Sequence, residues 1–341
     1  MNRFKLFRRE QYMKFKALVI FMALLIFTIV NLYAYETAEE QEQTFKLKSG
    51  GSLVLVGDEG TIKVTSWDRD EVYLKMIKRA RGRTEKEAKR LLEEIEVEIQ
   101  HDDDRLVIRQ IQRSENNNFT LFDLFDPDLW TGNGYRDMRV DFELRVPEEI
   151  DMRLENDEGD MDITKVSGDL DIVIDEGDLN IKDCKLGMTN IDIDEGDLNC
   201  YKTSCINDRF SIYTDEGDIW LEECELSKAR IDCDEGDIIL KKVVSQSMEI
   251  NTDEGDVDAD VAMSGDGRYR FYSDEGDIFI FVDRNPDMQV KLETEDGRIR
   301  TNFDLDVIDL EDGERVRGEL GGGRAFLEVY TDEGNVELNY R

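Results

Sequence analysis

Apolar and polar residues alternate with period two over most of the chain, and one short acidic turn resets the alternation at regular intervals. Asp-Glu-Gly begins at Asp58, Asp157, Asp175, Asp194, Asp215, Asp234, Asp253, Asp274 and Asp332. The seven copies from Asp157 to Asp274 each continue into a further Asp, at steps of 18, 19, 21, 19, 19 and 21 residues. A degenerate copy, Glu295-Asp296-Gly297, follows. Five positions before Gly stand Leu154, Ile172, Ile191, Ile212, Ile231, Ile250, Phe271, Leu292 and Val329. Two positions after it stand Met161, Leu179, Leu198, Ile219, Ile238, Val257, Ile278, Ile299 and Val336. Such alternation marks half-buried strands on both sides of a turn. A unit this small cannot bury its apolar face alone, so the units must stack and share one core. The expected fold class is all-β, a single-stranded β-solenoid of β-helix or β-roll type, with coils of 18–21 residues over 148–341. The recurring Gly fits a tight turn that needs φ > 0, and the Asp before it is a turn former.

Residues 36–147 have a different pattern and are expected to cap the solenoid as a strand–helix–strand portion. Strand-like runs surround Leu53-Val54-Leu55-Val56, Thr61 to Thr65 and Val72 to Met76. Thr84 with Glu87 forms a capping box, and Ala88, Leu91, Leu92 and Ile95 follow at helical spacing, which predicts a helix over 85–95. Strands resume at Val97–Gln100, Leu106–Ile111 and Met138–Val146. The insertion 114–137 carries Phe119, Leu121, Phe122, Phe125 and Trp130 among acids. It either folds onto the sheet or offers an apolar patch to a partner.

The first 35 residues read as a targeting segment. A basic start runs to Lys16, and Ala17 to Val30 is apolar except for Thr28. This is either the core of a cleaved signal peptide or a short membrane anchor. In both cases the chain beyond it is expected outside the cytoplasm, in the periplasm or on the cell surface.

Charge adds a candidate chemistry. Acids outnumber bases 81 to 44, a formal net charge of −37. That argues against nucleic acid and anionic lipid headgroups as partners, since both need a basic face. The parity of the pattern turns the repeat acids outward. They are the leading Asp157, Asp175, Asp194, Asp215, Asp234, Asp253 and Asp274, then Glu158, Glu176, Glu195, Glu216, Glu235, Glu254 and Glu275. The trailing set is Asp160, Asp178, Asp197, Asp218, Asp237, Asp256 and Asp277. Stacked ~4.8 Å apart, like charges repel by about 1 kcal/mol in bulk water. Ca²⁺ would relieve this with oxygen ligands; otherwise the acids form a solvated edge screened by salt.

Other chemistry is sparse. Cys184, Cys200, Cys205, Cys224 and Cys233 fall where apolar residues fall in other units, and are expected as buried thiols. Cys205 is expected in one column with Cys184 and Cys224, where a disulfide would be within reach. The one His, His101, precedes Asp102-Asp103-Asp104 at an expected hairpin turn and reads as solvated. Near-identical exposed acids lack the asymmetry that paired catalytic carboxylates need. Gly321-Gly322-Gly323 has no phosphate-loop ending and is expected to let the chain cross between coils.

Several pieces in this order resemble a known family: Gly60-Thr61-Ile62-Lys63-Val64, Trp67-Asp68-Arg69-Asp70-Glu71-Val72, Glu87-Ala88 with Leu91-Leu92, the repeated Gly-Asp-Ile units, and Gly321-Gly322-Gly323 leading to Leu327-Glu328-Val329-Tyr330-Thr331. Over 44–341 the chain resembles the bacterial DUF4097 family of β-strand-repeat proteins, candidate adhesins. The resemblance implies a β-solenoid-like fold, an envelope location and a non-enzymatic role. Some relatives are associated with envelope stress, which raises a sensing partner as an alternative, beside a Ca²⁺-binding module. An envelope protein or a glycan is the partner implied, with membrane contact only through the N-terminal segment. The family usually carries Ser-Gly-Asp or Asn-Gly-Asp turns; this chain keeps one, Ser167-Gly168-Asp169, and elsewhere uses Asp-Glu-Gly-Asp.

Overall fold

A computed structural model describes residues 35–111, 137–263, 265–310 and 313–341. The targeting segment up to residue 34 and the apolar residues of the insertion, Phe119 to Trp130, lie outside the described residues. In chain order the elements are β1 (Tyr35–Lys46), β2 (Gly51–Val56), β3 (Ile62–Trp67), β4 (Glu71–Gly82), α1 (Glu85–Glu94), β5 (Glu96–His101), β6 (Arg105–Ile111) and β7 (Asp137–Pro147). Then come β8 (Ile150–Glu158), β9 (Met161–Thr164), β10 (Ser167–Glu176), β11 (Leu179–Lys182), β12 (Lys185–Glu195), β13 (Leu198–Tyr201), β14 (Ser204–Glu216), β15 (Ile219–Glu222), β16 (Glu225–Glu235) and β17 (Ile238–Glu254). The remainder are β18 (Val257–Met263), β19 (Arg268–Glu275), β20 (Ile278–Val282), β21 (Met288–Asp296), β22 (Ile299–Thr301), β23 (Val307–Asp309), β24 (Glu314–Leu320), β25 (Ala325–Glu333) and β26 (Val336–Tyr340). Among the described residues the fold is all-β apart from α1, and the 26 strands form one mixed, mostly parallel sheet.

The chain divides into two compact units. In the smaller one, whose described parts are 35–39, 78–95 and 137–139, α1 begins where the sequence places it. The Glu87 N–H donates to Thr84 Oγ1 at 3.1 Å. The reciprocal arm differs from a standard box: the Glu87 carboxylate accepts from Arg83 N–H at 3.0 Å, one residue before the cap. Ala88 and Leu91 are the buried face. At the other end Lys78 Nζ donates to the Ile95 carbonyl at 3.0 Å and satisfies one of the terminal oxygens. Arg81 joins Glu36 at 3.0 Å and Asp137 at 3.3 Å, and holds the Glu36 carboxyl below its usual range.

The larger unit is a stack of long and short strands joined by the acidic turns. Its long strands pair in parallel through the expected column. In space the ladder runs Leu55, Leu154, Ile172, Ile191, Ile212, Ile231, Ile250, Phe271, Val329, Leu292. Every rung is buried, and each side chain of this size contributes about 1.5–3 kcal/mol when fully buried. Two details go beyond the sequence reading. The Asp58-Glu59-Gly60 turn stacks in register on the Asp157 turn, Gly60 N–H donating to the Glu158 carbonyl at 2.8 Å. At the far end the stack leaves chain order: β25 and β26 lie between β19–β20 and β21–β22. Beyond them β24 adds antiparallel to β21, and β23 to β24.

Apolar residues face inward from the short strands too, and in five successive coils the second corner is tighter than a loose turn. Lys165, Asp183, Lys202, Glu223 and Lys242, each six after its Gly, hold φ between 50° and 59°. Single left-handed residues turn the chain at each corner, at roughly 1–2 kcal/mol each for a side chain with a Cβ.

The corner positions correct one expectation about cysteine. Lys185 N–H bonds the Val166 carbonyl, Ser204 N–H that of Cys184, and Glu225 N–H that of Thr203. The column therefore runs Val166, Cys184, Thr203, Cys224, and Cys205 lies in the next inward column with Leu186 and Leu226. The reason is where the two extra residues of this coil go. The register of β14 shifts between Cys205 and Arg209, and 206–209 bulge outward as exposed backbone, leaving the corner unchanged. All five cysteines are buried and free. The closest sulfurs are Cys200 and Cys224, 3.8 Å apart and from different columns, and that hydrogen bond together with burial pushes the Cys200 thiol well up.

Candidate functional site: the acidic edge

The turn begins with an inward residue three before Gly. This column is buried and changes from Asn156, Ile174 and Ile193 to Thr214, Cys233, Thr252, Ser273, Thr294 and Thr331. Several of these side chains hold turn glycine carbonyls. Asn156 Nδ2 donates to Gly60 O at 2.9 Å and Gly159 O at 3.1 Å. Thr294 Oγ1 donates to Gly334 O at 2.8 Å, and Thr331 Oγ1 to Gly276 O at 3.1 Å. The sequence reading passed over this polar, buttressing column; its signal is the run of Thr and Ser at an inward position.

The glycines have a second reason to recur. Gly177, Gly196, Gly217, Gly236, Gly255 and Gly276 have φ between 134° and 149°. In addition, a Cβ on any of them would stand 2.0–2.6 Å from the carbonyl of the glycine in the preceding coil. The turns thus stack backbone on backbone.

The three acids of each turn then part. All 21 are exposed or half-exposed, as expected. The trailing Asp has a structural task. Asp178 N–H donates to Asp160 Oδ1 at 3.1 Å, Asp197 N–H to Asp178 at 3.0 Å, and Asp218 N–H to Asp197 at 2.9 Å. Asp237, Asp256 and Asp277 continue the ladder at 2.9, 2.9 and 2.8 Å. Asn335 then binds Asp277 through N–H and Nδ2 at 2.7 and 3.0 Å, and its own Oδ1 accepts from Arg298 N–H at 3.2 Å. One carboxylate oxygen per coil therefore ties the next coil's backbone. The Ser167-Gly168-Asp169 turn uses the same device: Asp151 accepts from Asp169 N–H at 2.9 Å, and Asp169 from Met188 N–H at 2.8 Å.

The leading Asp and the Glu remain as surface charge. The Glu column is exposed throughout. Asp194 is pushed up by partial desolvation and by Asp215 and Asp175, and Asp192 in the same way with Asp194 first among its neighbours. Tyr213 is pushed up to about 12, by its hydrogen bond to Asp215 and then by Asp234. Among the described residues no group of three or more His, Cys, Asp or Glu side chains gathers as a metal ion requires. His101 sits at the β5–β6 hairpin, its Nε2 2.6 Å from the Lys46 carbonyl and its ring against Phe45. Gly321 and Gly323, at φ 67° and 65°, turn the chain from β24 into β25. Asp287 clamps that turn, accepting from Gly322 N–H at 2.9 Å and Arg324 N–H at 3.1 Å, and the Arg324 guanidinium holds its carboxyl low.

These features define a class: an all-β, parallel-stranded repeat protein with acidic turns. Residues 186–339 match the model of the family described as Toastrack DUF4097. No curated protein matches the chain. Among solved structures it is similar to a candidate adhesin from Bacteroides fragilis, at 11% identity and a TM-score of 0.39, covering 88% of this chain and 97% of that one. A candidate adhesin from Parabacteroides distasonis is similar at 10% identity and 0.40, over the same shares. A candidate cell adhesion protein from Clostridium sporogenes is similar at 9% and 0.21, covering 89% and 100%.

Proposed function

We propose that the chain is a non-enzymatic β-solenoid of structural or adhesive type, exported and held at the cell envelope, which presents a rigid surface to a protein or glycan partner. One observation carries this reading: every turn of the acidic edge is tied to the next by a carboxylate-to-backbone bond. A surface built this way keeps its charges at fixed spacing without ligand, as a recognition scaffold must. The basic start and apolar run at Ala17 to Val30 support export. The test is adhesion itself. Beads coated with the full-length chain are passed over envelopes from the same and from unrelated cells, and retention is compared with albumin-coated beads. Retention above albumin supports the reading; equality with albumin on every surface removes it.

The acids are read as a solvated edge, since the trailing carboxylates already have a backbone donor and, among the described residues, no three acids converge. Thermal unfolding with Ca²⁺, with matched Mg²⁺ and with chelator decides this, because a ligand stabilises the state it binds. Equal small shifts with both ions are expected. A saturable rise specific to Ca²⁺ would establish built Ca²⁺ sites instead.

A further inference from the structure

On a chain of net charge −37, an anionic partner is repelled from most of the surface and admitted only where charge reverses locally. One such place exists on the outer face of the long strands. Arg209, Lys228, Arg230, Arg268 and Arg270 line an open groove of about 360 Å³, with Glu249 as its one acid. The stacking brings the five cations together from β14, β16 and β19, with Glu249 on β17 between them. Arg209 pairs with Lys228 and Lys228 with Ser247, in the column that Arg268 continues; Arg230 pairs with Glu249 and Glu249 with Arg270 in the next outward column. Two of the five are partly neutralised. Arg230 meets Asp232 at 2.6 Å, and Arg270 lies 3.6 Å from Glu328 and 3.9 Å from Glu249. Among the described residues Arg209, Lys228 and Arg268 have no carboxylate within ion-pair distance. All three are exposed. Ser247 is the short member between Lys228 and Arg268, which leaves the floor of the groove open between two cations.

We propose that this groove is a binding site for an acidic polysaccharide, one that carries a carboxylate on each sugar. The rungs of the stack repeat every ~4.8 Å, close to the length of one sugar ring, so carboxylates one ring apart meet Arg209 and Lys228, and one further along, past Ser247, meets Arg268. Arginine takes a carboxylate with two parallel N–H donors, and the lysine adds a point charge between them. A polysaccharide fits better than a compact anion because the cations form a row along the stack. The acidic edge on the turns then orients the ligand by repulsion, keeping it off the turn side of these coils. This inference rests on the adhesive reading above and supplies its ligand class.

The experiment uses the full-length chain and sodium polygalacturonate as probe, with neutral dextran and polyglutamate as further arms, at fixed ionic strength. Affinity is compared for the native chain and for the triple variant Arg209→Ser, Lys228→Ser, Arg268→Ser. A control triple variant, Lys182→Ser, Lys185→Ser, Lys242→Ser, changes net charge equally outside the groove. Expected are saturable binding of polygalacturonate and none of dextran, a loss of roughly tenfold or more in the groove variant, and a change within about twofold in the control. Equal loss in both variants would reduce the effect to net charge and overturn the site. Polyglutamate bound as tightly as polygalacturonate would overturn the polysaccharide assignment. No binding of polygalacturonate with bead adhesion intact would remove the groove and leave the adhesive reading; loss of both would remove the two together.

Discussion

An added methyl group at Gly217 would stand 2.1 Å from the carbonyl oxygen of Gly196, at a φ of 139°. Gly217→Ala therefore meets both a torsional and a steric penalty, and is expected to cost ~2 kcal/mol or more, read as a lower midpoint in urea melts. The acids beside it should divide by task. Asp218→Ala removes the acceptor of the Asp237 N–H and is expected to cost about 1 kcal/mol. Asp218→Asn should be close to neutral, since Asn335 already plays this part on Arg298. Glu216→Gln should leave stability unchanged or raise it, because the side chain is exposed among like charges. Equal effects at 216 and 218 would sink the distinction. The need for φ > 0 was legible in the sequence, because Gly recurs at a turn. The close approach of the next coil was not, because a single repeat contains no neighbour. The trailing Asp looked like its two companions for the same reason: its partner is a backbone N–H a full coil away.

Among the elements, the strands were legible wherever alternation was clean, and α1 from its cap and apolar spacing. The corners were not. Lys165, Lys202, Glu223 and Lys242 carry no residue-type signal for a left-handed backbone, so a tight corner looked like a loose one. The placing of Cys205 failed for a related reason, since sequence length does not say where in a coil two extra residues bulge. Acid should affect different elements in opposite directions. In β21 and β25, Arg315 lowers the Glu293 carboxyl and Lys291 that of Glu328. A lowered folded value means stability present above the unfolded value, near 4, and lost as pH falls through the folded value. In β12, Asp192 and Asp194 are raised, so their cost is present at neutral pH and disappears as pH falls through their folded values toward 4. Hydrogen exchange, corrected for intrinsic rates, should show β12 gaining protection as pH falls from neutral toward 4, and no such gain in β21 and β25, whose carboxyls only lose on acidification. Uniform changes across these strands would contradict the assignment.

For the whole molecule, the excess of 37 negative charges sets the solution behaviour. Raising salt from about 20 mM to about 300 mM shortens the screening length and should raise Tm, against the small loss from screened surface ion pairs. A fall in Tm would mean the ion pairs outweigh the repulsion. The order of the stack has a consequence in time. β21 and β22 leave the ribosome, or an export channel, before β25 and β26, yet those later strands separate them from β19 and β20. From β8 to β20 growth can add each coil onto the one before it, and beyond β20 it fails. The hairpin of β21 with β24 has to wait, undocked, until its spacer is made. Rival pairing is close at hand, because the rows that β19 and β21 offer to β25 are chemically alike, Phe271 against Leu292 at the central rung. A chain interrupted between residues 300 and 324 would therefore be free to close on the wrong neighbour, which makes this junction the step where assembly is most exposed to error.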